Sequence, residues 1–343
     1  MILALILCVA LWLLGWMMAT PPSQRWLGIG AVWLGVLAGF LVLPREHPLG
    51  GDARVWVVVS VTGAMGFGYS VLVKRLKSRV KAPEVPGIKP RSFAPAELDR
   101  YARHIMLREI GGPGQKALKS ARVLVIGAGG LGSPALLYLA AAGVGVIGVV
   151  DDDTVDASNL QRQIIHTDQR IGMSKVFSAE VAVRALNPFV EVRPYLRRLN
   201  PENAAELIGD YDLILDGSDN FDTRYLVNRV AARAGRALIS GAITQWEGQI
   251  SLYDPAHGTP CYECIFPDRP APGMVPTCAE AGVAAPLPGV IGAMMAMEAV
   301  KHITGAGEGL RGRLLIHDAL YGETRVIGIE RRADCAVCGT ARA

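Results

Sequence analysis

The chain has 343 residues, 51% hydrophobic and only 6% aromatic, with 35 Lys and Arg against 31 Asp and Glu, a formal charge of +4. That length allows one large domain or two modest ones, and a mean hydropathy of +0.29 is high for a soluble enzyme. Residues 1–81 hold eight Lys/Arg and two Asp/Glu, net +6, which leaves the remainder at −2. The basic balance therefore gives no reason to expect a nucleic-acid partner.

The first segment explains the hydropathy. Met1–Gln24, Trp26–Leu43 and Val55–Val73 contain no charged residue, and each approaches the roughly 20 apolar residues that a bilayer-crossing helix needs. A cleaved signal peptide accounts for the first stretch alone, and that stretch lacks a basic leader. Three spans are expected, near 2–20, 26–43 and 55–73, with Trp12, Trp16, Trp26 and Trp56 near their ends. A re-entrant or interfacial pair in place of the first two is the alternative. The run "KRLKSRVK", Lys74–Lys81, marks a cytoplasmic flank. The expectation is a multi-pass anchor over 1–81 in the inner membrane, with everything after it in the cytoplasm.

A proline-rich linker, 82–95, separates this anchor from a domain spanning 96–343. "PAELDRYARHIMLREIG" predicts an amphipathic helix with Leu98, Tyr101, Ile105 and Leu107 on its apolar side. Strand and helix patterns then alternate: "RVLVI", a helix after Gly130, "VGVIGVV", a helix over Lys175–Leu186, "VEVRP", a short helix near Ala204, and "YDLILD". Such alternation predicts βαβ units on a mostly parallel sheet. After the helix in "TRYLVNRVAARAG" come strands at "RALISGA" and "EGQISLYD", a helix in "VIGAMMAMEAVKHITG", and strands at "GRLLIHD" and "ETRVIGI". The fold class expected is α/β, a Rossmann-like nucleotide-binding domain whose parallel sheet is extended by antiparallel strands.

Between the first strand and its helix lies "GAGGLGS", Gly127–Ser133. Gly127, Gly129 and Gly132 satisfy G-x-G-x-x-G, with Gly130 between them, and Asp151 ends the second strand where a ribose-binding acid is expected. On its own this much favours NAD, although a glycine turn at the mouth of a strand also fits ATP. Arg162 and Lys175 follow the nucleotide-proximal strand, and two fixed cations near a glycine turn suit a polyphosphate better than a nicotinamide. Asp219, just past "YDLILD", is placed either to hold Mg²⁺ against phosphate oxygens or to cap the helix that follows. Cys261/Cys264 and Cys335/Cys338 form two C-x-x-C pairs, the spacing of a four-cysteine zinc site in a reducing compartment.

Taken together, "RYARHIMLREIGGPGQKALKSARVLVIGAGGLGSP", "SNLQRQIIH", "LDGSDN", "EGQI", "CYEC", "TCAEAGVAAPLPGVIG" and "CAVC" resemble the MoeB/ThiF/HesA family, bacterial relatives of the ubiquitin-activating enzymes. The resemblance runs from about Phe93 to Gly339 and leaves the apolar segments outside. It implies ATP on the glycine turn, with Asp151 on the ribose, and Ser158, Asn159, Arg162 and Lys175 on the phosphates. Asp219 would hold Mg²⁺ and serve catalysis, with Asn220 beside it. Arg103 would reach across a homodimer interface toward the γ-phosphate, although His104 stands where the family has glutamine. The zinc held by the four cysteines would be structural, and Cys278 would lie in a loop that holds a reactive thiol in some members. The implied reaction is adenylation of a small ubiquitin-like sulfur-carrier protein ending in Gly-Gly, of the MoaD or ThiS type, in molybdopterin or thiamine biosynthesis, with a sulfur-donor protein as a further partner. Adenylation of a tRNA, a peptide or another ubiquitin-like protein is the nearest alternative, and an NAD-dependent oxidoreductase a distant one.

Overall fold

The computed structural model describes residues 93–271, 274 and 281–339, together with positions 12, 14, 18, 30, 62, 65, 68 and 69. The chain divides into two units, 1–87 and 88–343. Apart from isolated positions, the three expected spans and the linker up to residue 92 lie outside the described residues. Among the described residues no helix is long and apolar enough to cross a membrane.

In the second unit, α1 (Pro95–Ile105) and α2 (Gly111–Ser120) precede β1 (Arg122–Ile126), α3 (Gly132–Ala142), β2 (Val146–Asp151), α4 (Lys175–Leu186), β3 (Glu191–Leu196), α5 (Pro201–Gly209) and β4 (Leu213–Asp216). The chain continues through α6 (Phe221–Arg233), β5 (Ala237–Ile243), β6 (Glu247–Tyr253), the one-turn α7 (Tyr262–Ile265), α8 (Leu287–Thr304), β7 (Arg313–Asp318) and β8 (Glu323–Gly328). Every strand expected from the apolar runs is present. They form one eight-stranded sheet in the order β3-β2-β1-β4-β5-β6-β7-β8. The first five run parallel, and β6, β7 and β8 join antiparallel.

Strands buried on both faces read as unbroken apolar runs, and β1 shows why. Val123 and Val125 pack into one layer with α3, α4 and α8, whereas Leu124 and Ile126 pack into the other with α5 and α6. After β1 the chain moves outward to β2 and β3 and then returns to lay β4 on β1's other side. The strand order therefore reverses between β1 and β4, which opens a crevice beyond their carboxyl ends. The turns that follow these two strands close on each other there. Gly127 has φ +89°, and a Cβ on it would lie 3.2 Å from the Gly217 carbonyl oxygen.

The first helix departs from expectation. It stops at Ile105, and of the four residues expected on its apolar side only Tyr101 is buried, whereas Leu98 and Leu107 are 46% and 48% exposed. The Tyr101 hydroxyl accepts a hydrogen bond from Asn187 (2.8 Å), and its ring lies so close to Gly143 that a Cβ there would come within 2.5 Å. This ring, together with the buried Glu97 paired to Lys119 of α2 at 2.6 Å, anchors the helix, and the leucines stay at the surface of the single chain. The pattern also gave no sign of α2, because "GGPG" reads as a breaker. Pro113 falls in its first turn, where no N–H is missed. Gly114 is needed for contact, since a Cβ would lie 2.9 Å from Ile110 and 3.3 Å from Thr304 of α8.

A Cβ at position 132 would sit 1.9 Å from the Gly127 carbonyl oxygen, a backbone clash that no rotamer relieves. Gly132→Ala is expected to destabilise the domain by about 3 kcal/mol, the upper end for overpacking, read as a lowered urea midpoint at unchanged m-value.

Candidate active site

A cavity of about 780 Å³ occupies the crevice between β1 and β4. Its floor is the glycine turn, with Gly127, Gly129 and Gly130 lining it, and its walls include Asp151, Arg162, Lys175, Asp219 and Asn220. The structure thus brings eight of the sequence candidates to one place. Gly132 is not among them; it opens α3 and serves the turn by letting the helix backbone touch Gly127.

Asp151 ends β2 as expected. Its Oδ2 accepts from the Ala128 N–H (2.8 Å) and its Oδ1 from the Asp153 N–H (2.8 Å), which fixes both oxygens at the turn. Burial pushes its carboxyl up from the ordinary range, opposed by Lys175 and by these two N–H groups. Each oxygen keeps a lone pair for a further donor, such as a ribose hydroxyl. Lys175, the first residue of α4, is buried and its Nζ donates to Asp153 Oδ2 at 2.7 Å.

Ser158 and Asn159 form a short 3-10 turn capped by Asp156, which accepts from the Ser158 N–H (2.8 Å) and hydroxyl (2.6 Å). Neither lines the cavity. Asn159 instead accepts from Arg162 Nη2 (3.3 Å) and Gln163 Nε2 (3.2 Å), turning both side chains of the next helical turn. Arg103 is exposed on α1 and stands apart from the cavity of its own chain. Cys278 lies outside the described residues.

The two readings of Asp219 separate clearly. The helix cap is Asn220, whose Oδ1 accepts from the Thr223 N–H at 2.8 Å. Asp219 is exposed to the cavity and has no hydrogen-bond or ion-pair partner among the described residues. Behind it sits a buried set that sequence reading missed. Asp216, at the end of β4, accepts from the Ser218 N–H (3.0 Å) and hydroxyl (2.6 Å) and from the Ser240 hydroxyl (3.1 Å). Arg224 pairs with Asp216 at 3.6 Å and donates to the Ser218 carbonyl, so the loop that presents Asp219 is tied down from below.

Arg197 and Arg198 also border the cavity, and they too were missed. The register Asp151↔Leu196 places them just beyond β3, beside the ribose-side acid. Any residue following a parallel strand of this sheet faces the same crevice, which is the signal that could have found them. Among the described residues Arg162, Arg197 and Arg198 have no carboxylate partner. The cavity therefore offers three guanidinium groups without carboxylate partners alongside the Asp219 carboxylate and the acids Asp151, Asp152 and Asp153, the complement of a polyphosphate with its divalent cation.

At the far side of α6, the four cysteine sulfurs converge to within 4.8 Å of one another. Sγ separations of 3.9 Å (Cys261–Cys264), 3.6 Å (Cys261–Cys335) and 3.4 Å (Cys264–Cys338) bracket the spacing of about 3.8 Å that tetrahedral thiolates take at a Zn–S distance of about 2.3 Å. All four are buried, and burial together with Cys264 pushes the Cys261 thiol up. A cation that holds the thiolates deprotonated fits this donor set. Asn228 supports it, accepting from the Tyr262 N–H (2.9 Å) and donating to Cys261 Sγ (3.8 Å). Arg229 braces α7 through two bonds to Glu263 (2.8 and 2.9 Å).

Fold and site define a nucleotide-binding α/β protein whose switch-point cavity is built for a polyphosphate. The chain belongs to the ThiF family, whose model matches residues 101–337. It is 50% identical over 247 residues to the sulfur carrier protein adenylyltransferase of Thermus thermophilus, covering 71% of this chain and 91% of that protein. It is 48% identical over 248 residues to the SAMP-activating enzyme E1 of Haloferax volcanii, covering 72% and 91%. Against the probable adenylyltransferase/sulfurtransferase MoeZ of Mycobacterium tuberculosis it is 51% identical over 250 residues, which is 72% of this chain but 64% of that protein. Among solved structures, E. coli MccB superposes with a TM-score of 0.62 at 23% identity over 70% of this chain and 72% of that one, a likeness of fold.

Cys261→Ser is expected to empty the cysteine site. Metal analysis of purified protein should fall from about one zinc per chain to nearly none, with a lower thermal midpoint, because structural zinc contributes directly to folding.

Proposed function

We propose that this chain is an ATP-dependent adenylyltransferase that activates the C-terminal glycine of a small ubiquitin-like sulfur-carrier protein. The observation that carries the reading is Asp219: a partnerless carboxylate, among the described residues, in a cavity where Arg162, Lys175 and the glycine turn of a ThiF-family fold converge. The names of the relatives from Thermus and Haloferax, each matched over 91% of its length, support the same activity.

In this reaction an oxygen of the carrier's terminal carboxylate forms a bond to the α-phosphorus of ATP. The bond from that phosphorus to the α,β-bridging oxygen breaks, and pyrophosphate leaves with the electron pair. A carboxylate is already nucleophilic, so no general base is needed. Catalysis lies in alignment and charge neutralisation. The glycine turn admits the phosphates against backbone, Asp151 holds the ribose, and Arg162 and Lys175 face the charge that gathers on the phosphates. Asp219 is the residue that would hold Mg²⁺, which supplies further neutralisation of the phosphate oxygens when bound. Zinc at Cys261, Cys264, Cys335 and Cys338 has a structural role in this reading.

The finer features belong to the same proposal. Arg103, exposed and away from its own cavity, is assigned to the γ-phosphate site of a partner subunit in a homodimer. The carrier is of the MoaD or ThiS type, with the molybdopterin branch favoured by "SNLQRQ" and "EAGVAAPLPGVIG". Cys278 falls in a segment that resembles the loop where some family members hold a reactive thiol and others do without one, and a sulfur-donor protein is the further partner. Residues 1–81 form a multi-pass anchor in the inner membrane that leaves the catalytic domain in the cytoplasm, supported by the three uncharged segments and by the five bases of Lys74–Lys81.

ATP–pyrophosphate exchange should depend on a carrier ending in Gly-Gly and fall by at least about 100-fold in Asp219→Ala, the scale on which removing one charge-stabilising group acts. Exchange that continues at the wild-type rate would overturn the role of Asp219. In fractionated cells, the full chain is expected with the membranes, whereas a chain beginning at Ala82 should stay in the supernatant. Equal partition of the two would remove the anchor from the proposal.

A further inference from the structure

His166 is buried, and sequence reading assigned it no role. It lies eight residues past Ser158 and is joined to two other parts of the site. Its Nε2 is 2.9 Å from the Ala128 carbonyl oxygen, in the middle of the glycine turn. Its Nδ1 is 2.9 Å from the Ser178 hydroxyl, one turn along α4 from Lys175.

These partners determine the tautomer. A carbonyl oxygen only accepts, so Nε2 bears the proton and donates, and Nδ1 accepts from Ser178. The neutral ring is the form the surroundings favour: burial pushes its pKa down, the bond to the Ala128 carbonyl opposes this, and the nearby cations Lys175 and Arg170 push down again. Arg170 donates to the Ser178 hydroxyl (3.3 Å) and carbonyl, which leaves that hydroxyl's proton for the imidazole.

The Ala128 residue is thus gripped at both ends. Its N–H goes to Asp151 and its carbonyl to His166. His166 also closes back on the segment that bears Arg162, through the bond from its backbone N–H to the Gln163 carbonyl (3.1 Å). One histidine therefore ties together the glycine turn, the Arg162 segment and the helix that begins at Lys175.

We infer that His166 is a positioning residue for the nucleotide: by donating from Nε2 to the Ala128 carbonyl it sets the glycine turn, and through it Asp151, in register with Arg162 and Lys175. It touches no substrate in this role. The inference rests on the reading of the cavity as an ATP site.

The test compares two polar replacements in the full chain with its zinc. The amide nitrogen of His166→Gln reaches the place of Nε2, whereas that of His166→Asn reaches only the place of Nδ1. Titration with a non-hydrolysable ATP analogue should give a Kd within about threefold of wild type for Gln and roughly tenfold weaker for Asn. In ATP–pyrophosphate exchange, KM for ATP should rise in Asn alone while KM for the carrier stays within about twofold. Equal analogue affinity in wild type, Gln and Asn overturns the inference, as does a fall in the Asn thermal midpoint with unchanged affinity, which is the mark of packing alone. A wild-type chain that binds no analogue fails at the earlier step and removes the ATP reading itself.

Discussion

The structure turns on a backbone-to-backbone contact between two turns. Beyond β1 and β4 the chain must bring Gly127, Gly132 and Gly217 together at distances that leave no room for a Cβ at position 132 and barely room at 127 and 217. The contact is possible because β1 and β4 are adjacent parallel strands that end level, Ile126 opposite Asp216. It has two consequences. The glycine turn is held by the sheet, and the loop that bears Asp219 is placed against it. The floor of the cavity and the Asp219 carboxylate are therefore parts of one packed unit.

Around that contact the electrostatics are divided by depth. The buried charges are compensated: Lys175 by Asp153, and Asp216 by Arg224 and two serine hydroxyls. This is what burial demands, since an unpaired buried charge is costly. The groups at the cavity surface, Arg162, Arg197, Arg198 and Asp219, lack such ion pairs among the described residues and remain available to a ligand. The inner layer fixes geometry, and the outer layer meets the substrate.

Much of this was legible in the sequence because it rests on local pattern. Short apolar or alternating stretches located all eight strands, glycine spacing located the turn, and C-x-x-C pairs located the cysteine cluster. What was not legible depends on tertiary geometry. Gly114 looks like a helix breaker until α8 is seen packed against it. Leu98 and Leu107 share helical spacing with Tyr101, but the pattern cannot say that one ring fills the available groove. Arg197 and Arg198 carry no motif, and only strand register sets them beside Asp151. Asp219 was found, but its competing role as a helix cap was excluded only by seeing Asn220 take that position.

The same reasoning explains why the cysteine cluster sits where it does. On the parallel side of the sheet, crossover helices cover both faces. The antiparallel extension has no such cover at its end: β8 is exposed along its length, and the chain leaves it toward its last described residues. Cys335 and Cys338 return that tail to Cys261 and Cys264, beside α6. The α6 helix starts at the cavity, with Asn220 as its cap and Arg224 in its first turns, and bears Asn228 and Arg229 at the cysteine cluster. A metal bound there would brace the helix that fixes the Asp219 loop, so a site with no direct access to the nucleotide still bears on its geometry.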